Sequence, residues 1–255
     1  TLANGTNVIT WNWSGLSAGT KGLIFGGTDI LVNGITIGVG KNQNTSNVAI
    51  GDNALNNNIS GFYNTAIGRG AMYYLNTGNY NTAIGPEALN KLTTGSVNTA
   101  IGESSLGSLT TGTNNIAIGR QSLISTIAGA DNIGIGDFAL TSMGTAYSNV
   151  AIGKEAMYYL NTGNYNVAVG RLAFVNVKGS NNTGIGYSVG TNLTTGTNNT
   201  LIGYLTGLGI TTGGKNTIIG ASISGLATSL SNTIILADGD GVIRYYCNSA
   251  GSTGI

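Results

Sequence analysis

At 255 residues, with 7% charged positions and a formal net charge of +1, the chain gives no electrostatic reason to expect nucleic acid or an anionic membrane as partner. Its 43 glycines are more than twice the ordinary share of about 7%, yet 41% apolar residues set at fixed phase argue for regular burial over disorder. With no histidine and a single cysteine, Cys247, the usual triads, nitrogen or thiolate metal sites and an internal disulfide framework are excluded.

No apolar run approaches the length of a membrane span, so membrane insertion is not expected, and the first residues lack a charged start and a hydrophobic signal core. Thr1 stands where an initiator Met would, which suggests a mature product or part of a longer polypeptide.

Residues 1–41 stand outside the period that rules the rest and read as a strand-rich cap or connector. Ile9, Trp11 and Trp13 alternate with Thr10, Asn12 and Ser14, the pattern of a half-buried strand. The two indoles could stack on carbohydrate, but a repeat array needs its apolar end closed, and that reading is preferred. Short strands are expected at 22–26 and 30–32, with a turn at Gly27-Thr28-Asp29 between them. Ile35-Thr36-Ile37-Gly38 reads as a degenerate first repeat, where the array is expected to begin.

From residue 42 to 236 one cassette recurs, in the form Asn81-Thr82-Ala83-Ile84-Gly85. Copies begin at Asn47, Asn64, Asn81, Asn98, Asn115, Asn132, Asn149 and Asn166, seventeen residues apart, then at Asn182, Asn199, Asn216 and Asn232 with spacings of sixteen, seventeen, seventeen and sixteen. Such a period marks a solenoid in which each repeat contacts mainly its neighbours. The expected fold is all-β: a parallel β-solenoid or β-roll of about twelve 16–17-residue coils with short helical turns, roughly 55 to 60 Å long at about 4.8 Å per coil.

Within a cassette, Thr82 and Ile84 share one strand face and Ala83 the other. The fourth position is Ile or Val throughout and the third is Ala or Gly in nine copies, so the strand reads as buried on both faces. The expectation is that Ile84 fills the coil's own core. The small residues Ala66, Ala83, Ala100, Ala117, Gly134, Ala151 and Ala168 would then allow close approach by another backbone. The third position grows at Leu201, Ile218 and Ile234, so the shaft should widen or repack there. The first-position asparagines should stack as an amide ladder.

After Gly85, Pro86-Glu87-Ala88-Leu89-Asn90-Lys91-Leu92 has the Leu spacing of one helical turn. Leu89 recurs as Leu55, Leu106, Leu123 and Leu140, with Met72, Met157 and Phe174 as substitutes, a second apolar ladder. Gly95 recurs at Gly61, Gly78, Gly112, Gly129, Gly163, Gly196 and Gly213, as a left-handed turn position would require. Residues 237–255 leave the array: Asp238-Gly239-Asp240-Gly241 should turn a hairpin between 234–236 and 242–246, followed by a Gly and Ser connector.

Nine of the twelve charges between Asn47 and Gly179 occupy the two positions after a cassette: Asp52, Arg69, Glu87, Glu103, Arg120, Asp137, Lys154, Glu155 and Arg171. They define one exposed edge of largely alternating sign, which disfavours register slips. A sharper reading takes Glu87 and Glu103 as a retaining glycosidase pair about 5 Å apart, but no cleft is legible. Gly186 and Gly190 lack the Lys-Ser/Thr of a phosphate loop. Asp238 and Asp240 resemble a calcium-loop fragment but read better as a plain turn. The most suggestive surface feature is Ala71-Met72-Tyr73-Tyr74-Leu75-Asn76-Thr77-Gly78-Asn79-Tyr80-Asn81, repeated identically at 156–166, five coils on. It makes Tyr73, Tyr74, Tyr80, Tyr158, Tyr159 and Tyr165 candidate receptor or glycan contacts, against a plainer role in surface packing.

The cassette with linkers such as Leu193-Thr194-Thr195-Gly196-Thr197-Asn198-Asn199-Thr200 resembles the Gly-Asn-Thr-rich repeats of bacteriophage tail fibres. It is also similar to the Asn-x-x-Ala-Ile-Gly repeats of YadA-type heads in trimeric autotransporter adhesins, which are parallel β-rolls with a shorter repeat. The tail, from Asn232-Thr233-Ile234-Ile235-Leu236 to Gly251-Ser252-Thr253-Gly254-Ile255, resembles the segment ahead of the self-cleaving chaperone of tail fibres. The resemblance implies a non-catalytic fibre module of a virion, without cofactor, that extends or forms a host-receptor-binding surface, joins other fibre or virion proteins and forms an intertwined or side-by-side homotrimer with Ala66, Ala83, Ala100, Ala117, Gly134, Ala151 and Ala168 toward its axis. The receptor would be a host-surface glycan or protein. The alternatives are a bacterial surface adhesin and a glycan-hydrolysing tailspike. An ice-binding face is disfavoured, since Val48, Ile116, Ile133, Val150 and Val167 interrupt any Thr array.

Overall fold

A computed structural model describes residues 30–32, 35–40 and 46–254. The expectations for Ile9, Trp11, Trp13, the 22–26 strand and the 27–29 turn lie outside the described residues. The rest is all-β: sixteen strands form one sheet in strict sequence order. Twelve of them, β3 (Val48–Ile50) through β14 (Ile234–Ala237), are parallel and in register, one per coil, as Thr82↔Thr99, Ala83↔Ala100 and Ile84↔Ile101 illustrate. This is the expected β-solenoid.

Both ends of the parallel array change hand. β1 (Ile30–Val32) and β2 (Ile35–Gly38) form an antiparallel pair, and β2 joins β3 antiparallel as well. Ile35 to Gly38 is therefore a hairpin strand laid on the first coil, and the array begins with β3. At the other end β15 (Ile243–Cys247) returns antiparallel along β14, as the turn signal predicts, and β16 (Thr253–Gly254) pairs with β15. The expected connector is thus partly a third strand. Antiparallel strands at the two ends cover open edges of the array.

The cassette faces are inverted relative to expectation. Ala66, Ala83, Ala100, Ala117, Ala151 and Ala168 are fully buried inside their own chain, and Gly134 is buried too, whereas Ile84 is 37% exposed. The seven small residues therefore cannot line a trimer axis. The reason is volume. The wall opposite the sheet already sends Leu89 and Leu92 into the coil, both fully buried, with their equivalents above and below. Large residues from one wall require small ones from the other if the interior is to close-pack in good rotamers.

The same rule explains the C-terminal repacking. Where the third position grows to Leu201, the ninth shrinks to Gly190 and Gly207, and a Cβ on either glycine would come within 3.0 Å and 2.9 Å of Leu201 Cδ1. Phe174 conversely fills the space left by Gly184 and Gly190. Bulk moves from one wall to the other.

The segment after the cassette is a chain of turns, and no helix occurs among the described residues. Glu87 and Leu89 are left-handed, at φ 58° and 50°, and Pro86, Ala88 and Asn90 between and beside them are not. Local bonds from Ala88 N–H to Gly85 O and Asn90 N–H to Glu87 O alternate with bonds to adjacent coils, Glu87 N–H to Arg69 O and Leu89 N–H to Ser105 O. A helical turn would point these N–H groups along its own axis and leave the stacked coils without them.

The amide ladder forms as expected. Asn81 Nδ2 donates to Asn64 Oδ1 (3.1 Å) and to Gly95 O (2.9 Å), while its Oδ1 accepts from the backbone N–H and Nδ2 of Asn98. The pattern continues to Asn216, with only small variations. Gly95 and its equivalents do not adopt positive φ. They are glycine because a Cβ on Gly95 would lie 2.3 Å from Gly112 O in the next coil.

The last coil corrects the register of the final repeat. Ile235 pairs with Ile218 and is buried, and Thr233, not Asn232, takes the ladder slot by donating its N–H to Asn216 Oδ1. The spacing is seventeen, and Asn232 sits one place earlier at φ 54°, which asparagine tolerates well.

Candidate recognition surface

Counting each coil from its ladder asparagine as position one, four strips face outward, one of them the turn at positions thirteen and fourteen. Positions two and four form the outer face of the sheet. Positions six, seven, ten and eleven form the charged edge. Positions sixteen and seventeen form a strip just ahead of the asparagine.

The charged edge behaves as a solvated face. Arg69 and Glu87 pair across coils at 3.4 Å, Arg120 and Asp137 at 3.8 Å, and Lys154 with its neighbour Glu155 at 3.7 Å. All are substantially exposed, so each contributes little to stability.

On this edge Tyr73 and Tyr74 line an open depression of about 250 Å³, together with Asp52, Asn53, Arg69, Gly70, Glu87 and Asn90. Its residues come from three successive coils. Gly70 holds a left-handed seventh position, φ 66°, and a Cβ there would sit 3.3 Å from Asn90 Nδ2. That amide instead donates to Gly70 O at 2.9 Å and ties the floor together. The tyrosine rings meet edge to face, centroids 4.6 Å apart, with Tyr74 half-exposed. The depression therefore offers an aromatic surface ringed by carboxylates, amides and a guanidinium, which can donate and accept hydrogen bonds around a small polar ring. Of the two glutamates singled out in the sequence, Glu87 lines it and Glu103 does not.

Tyr158 and Tyr159 repeat the same edge-to-face pair at 4.6 Å. Their surroundings differ: Tyr158 lies against Phe138 at 6.3 Å, and Arg120 caps the Phe138 ring at 4.6 Å. Tyr80 and Tyr165 lie elsewhere, on the strip ahead of the ladder. Tyr80 stacks on Tyr63 at 5.1 Å with Phe62 edge-on, and Tyr165 meets Tyr147 at 5.3 Å. The hydrogen bond to Tyr147 holds the Tyr165 phenol above its ordinary pKa. The six tyrosines thus fall into four clusters and do not converge.

Sequence reasoning passed over Phe62, Tyr63, Phe138, Tyr147, Tyr187 and Tyr204 as partners. A signal was present: Tyr63 and Tyr80, like Tyr187 and Tyr204, stand one coil apart in sequence, and both pairs stack. At the C-terminal turn Asp238 is occupied by Arg244 and by the N–H groups of Asp240 and Val242. Among the described residues no group of three His, Cys, Asp or Glu is placed to hold a metal ion, and no helix is long and apolar enough to cross a membrane. No family model, curated protein or solved structure matches the chain.

Proposed function

We propose that the chain is a non-catalytic, homotrimeric fibre module of the tail-fibre type, carried on a virion, whose stiff shaft presents a host-recognition surface. The observation that carries this reading is the outer face of the sheet. Ile84, Ile101, Ile118, Ile152, Ile185, Ile219 and Leu236 are all at least 36% exposed, in one column along the rod. Val48, Ile116 and Ile234 add to it at position two. Single exposed aliphatics need no explanation, whereas a continuous column over roughly 55 Å does.

A partner that matches this face must share its period of about 4.8 Å, and a second copy of the chain does so at every coil, with like side chains able to interdigitate. The column is free of charge, so close approach of copies meets no like-charge repulsion. The trimer axis therefore belongs to the isoleucines, and the alanines serve each chain's own core. A bacterial surface adhesin would use the same architecture.

Light scattering on the purified chain is expected to give a mass of three chains. Ile101→Asp together with Ile118→Asp should release monomers of unchanged circular dichroism. A native chain that is a stable monomer defeats the trimer.

A further inference from the structure

We infer that the depression formed by Asp52, Asn53, Arg69, Gly70, Tyr73, Tyr74, Glu87 and Asn90 binds one neutral or amino hexose unit of a glycan, and that its duplicate five coils on does not. The inference rests on the reading of the shaft as a recognition module, and it assigns that role to one place. The size fits: about 250 Å³ lies below the roughly 300–1,000 Å³ of pockets for drug-sized ligands, and the open form lets a longer chain continue past a single ring. The chemistry fits a polyol. Tyr74 offers an apolar ring face, and Asp52, Asn53, Glu87 and Asn90 offer acceptors and donors to hydroxyl groups.

Charge decides the class of sugar. Two carboxylates stand against one guanidinium, and that guanidinium is already paired with Glu87 at 3.4 Å. A uronate, sialate or phosphate would meet net negative charge, whereas a neutral sugar would not and an ammonium sugar would be favoured.

The duplicate keeps both tyrosines, an aspartate and a cation, as Tyr158, Tyr159, Asp137 and Lys154. It replaces the residues that shape the hollow. Glu155 stands where Gly70 is, Phe138 where Asn53 is, Leu172 where Glu87 is and Val175 where Asn90 is. Phe138 lies against Tyr158, and Glu155 is drawn to Lys154. Three polar members of the ring around the aromatic pair, Asn53, Glu87 and Asn90, thus become apolar, so identical sequence at 71–81 and 156–166 does not make identical sites.

The duplicate also supplies substitutions that the backbone accepts. Gly70 and Glu155 share a left-handed conformation, φ 66° and 59°, as do Asn53 and Phe138, φ 59° and 60°. Gly70→Glu and Asn53→Phe should therefore fold while filling the first site with the contents of the second.

The test is saturation-transfer NMR and titration of the full chain with methyl glucoside, methyl galactoside, N-acetylglucosamine, glucosamine and glucuronate. At least one neutral or amino hexose should bind saturably, and glucuronate at least tenfold more weakly. Gly70→Glu, Asn53→Phe and Tyr74→Ala should each weaken binding at least tenfold, and Tyr159→Ala should leave it unchanged. Absence of binding across the panel, glucuronate binding as tightly as the neutral sugars, insensitivity to all three first-site variants, or equal loss in Tyr159→Ala would each overturn the assignment. Parallel measurements of mass and of adhesion to host cells separate the two claims. A trimer that adheres to cells equally well with and without Gly70→Glu keeps the fibre reading and sinks the site, while a hexose-binding monomer without adhesion does the reverse.

Discussion

Each buried ladder asparagine spends its amide completely, which makes it the least replaceable residue of its coil. Asn115 Oδ1 accepts from the N–H and Nδ2 of Asn132, and Asn115 Nδ2 donates to Asn98 Oδ1 and Gly129 O. Truncation strands several buried partners at once, each costing about 1–3 kcal/mol. Asn115→Ala is accordingly expected to lower stability by about 3 kcal/mol or more in denaturant unfolding, far beyond the loss from a surface asparagine such as Asn57. A second residue-scale effect lies in the C-terminal hairpin. The hydrogen bond from Arg244, aided by the N–H groups of Val242 and Asp240, holds the Asp238 carboxyl below its usual pKa. A carboxyl depressed in the folded state contributes stability above its unfolded pKa and loses it as pH falls through the folded one. Protection factors of the β15 amides, corrected for the intrinsic pH dependence of exchange, should therefore fall only below about pH 4, and Asp238→Asn should remove that fall.

At the scale of the element, a coil is two walls that share one interior, and the sum of their side chains is what must stay constant. Ala83 faces a space already filled by the Met72 and Leu89 ladder, so Ala83→Leu is an overpacking change costing about 1–3 kcal/mol. The native Leu201 is accommodated because Gly190 and Gly207 lie beside it. Adding Met72→Gly and Leu89→Gly to Ala83→Leu copies that solution, and thermal unfolding should recover part of the lost stability. Glycine is compatible at both places, since Met72 and Leu89 have φ 49° and 50°. If Ala83 instead faced another chain, Ala83→Leu would change the mass in solution before the melting temperature.

The molecule as a whole is a rod whose regularity comes from repeating one solution and whose individuality comes from interruptions. Its sheet carries a periodic aliphatic face, and the dissociation expected of Ile101→Asp with Ile118→Asp is a prediction about the whole column. The charged edge is different in kind: a small departure from the repeat, Gly70 where the other coils through Asn216 carry a side chain at the seventh position, opens the hollow between Asp52 and Asn90. On such a rod, residues that keep the period build the core and the sheet face, while residues that break it shape the surface locally.

The period, the solenoid, the amide ladder and the Leu89 ladder were all legible in the sequence, because in-register stacking turns a seventeen-residue spacing into direct contact. The paired tyrosines Tyr73 and Tyr74 were legible as outward-facing for the same reason, lying between Met72 and Leu75. Alternation could not say which face of Thr82-Ala83-Ile84 looks inward, since both faces are apolar enough to be buried. That choice belongs to Leu89 and Leu92 on the opposite wall, which fill the interior and leave room only for Ala83. Likewise Asn232 and Thr233 are equally plausible as the last rung until burial of Ile235 sets the register. The depression at Gly70 assembles residues from three coils, and its shape exists only once they are stacked. Local sequence determines what each coil repeats; the finite volume between the walls determines which way its side chains turn.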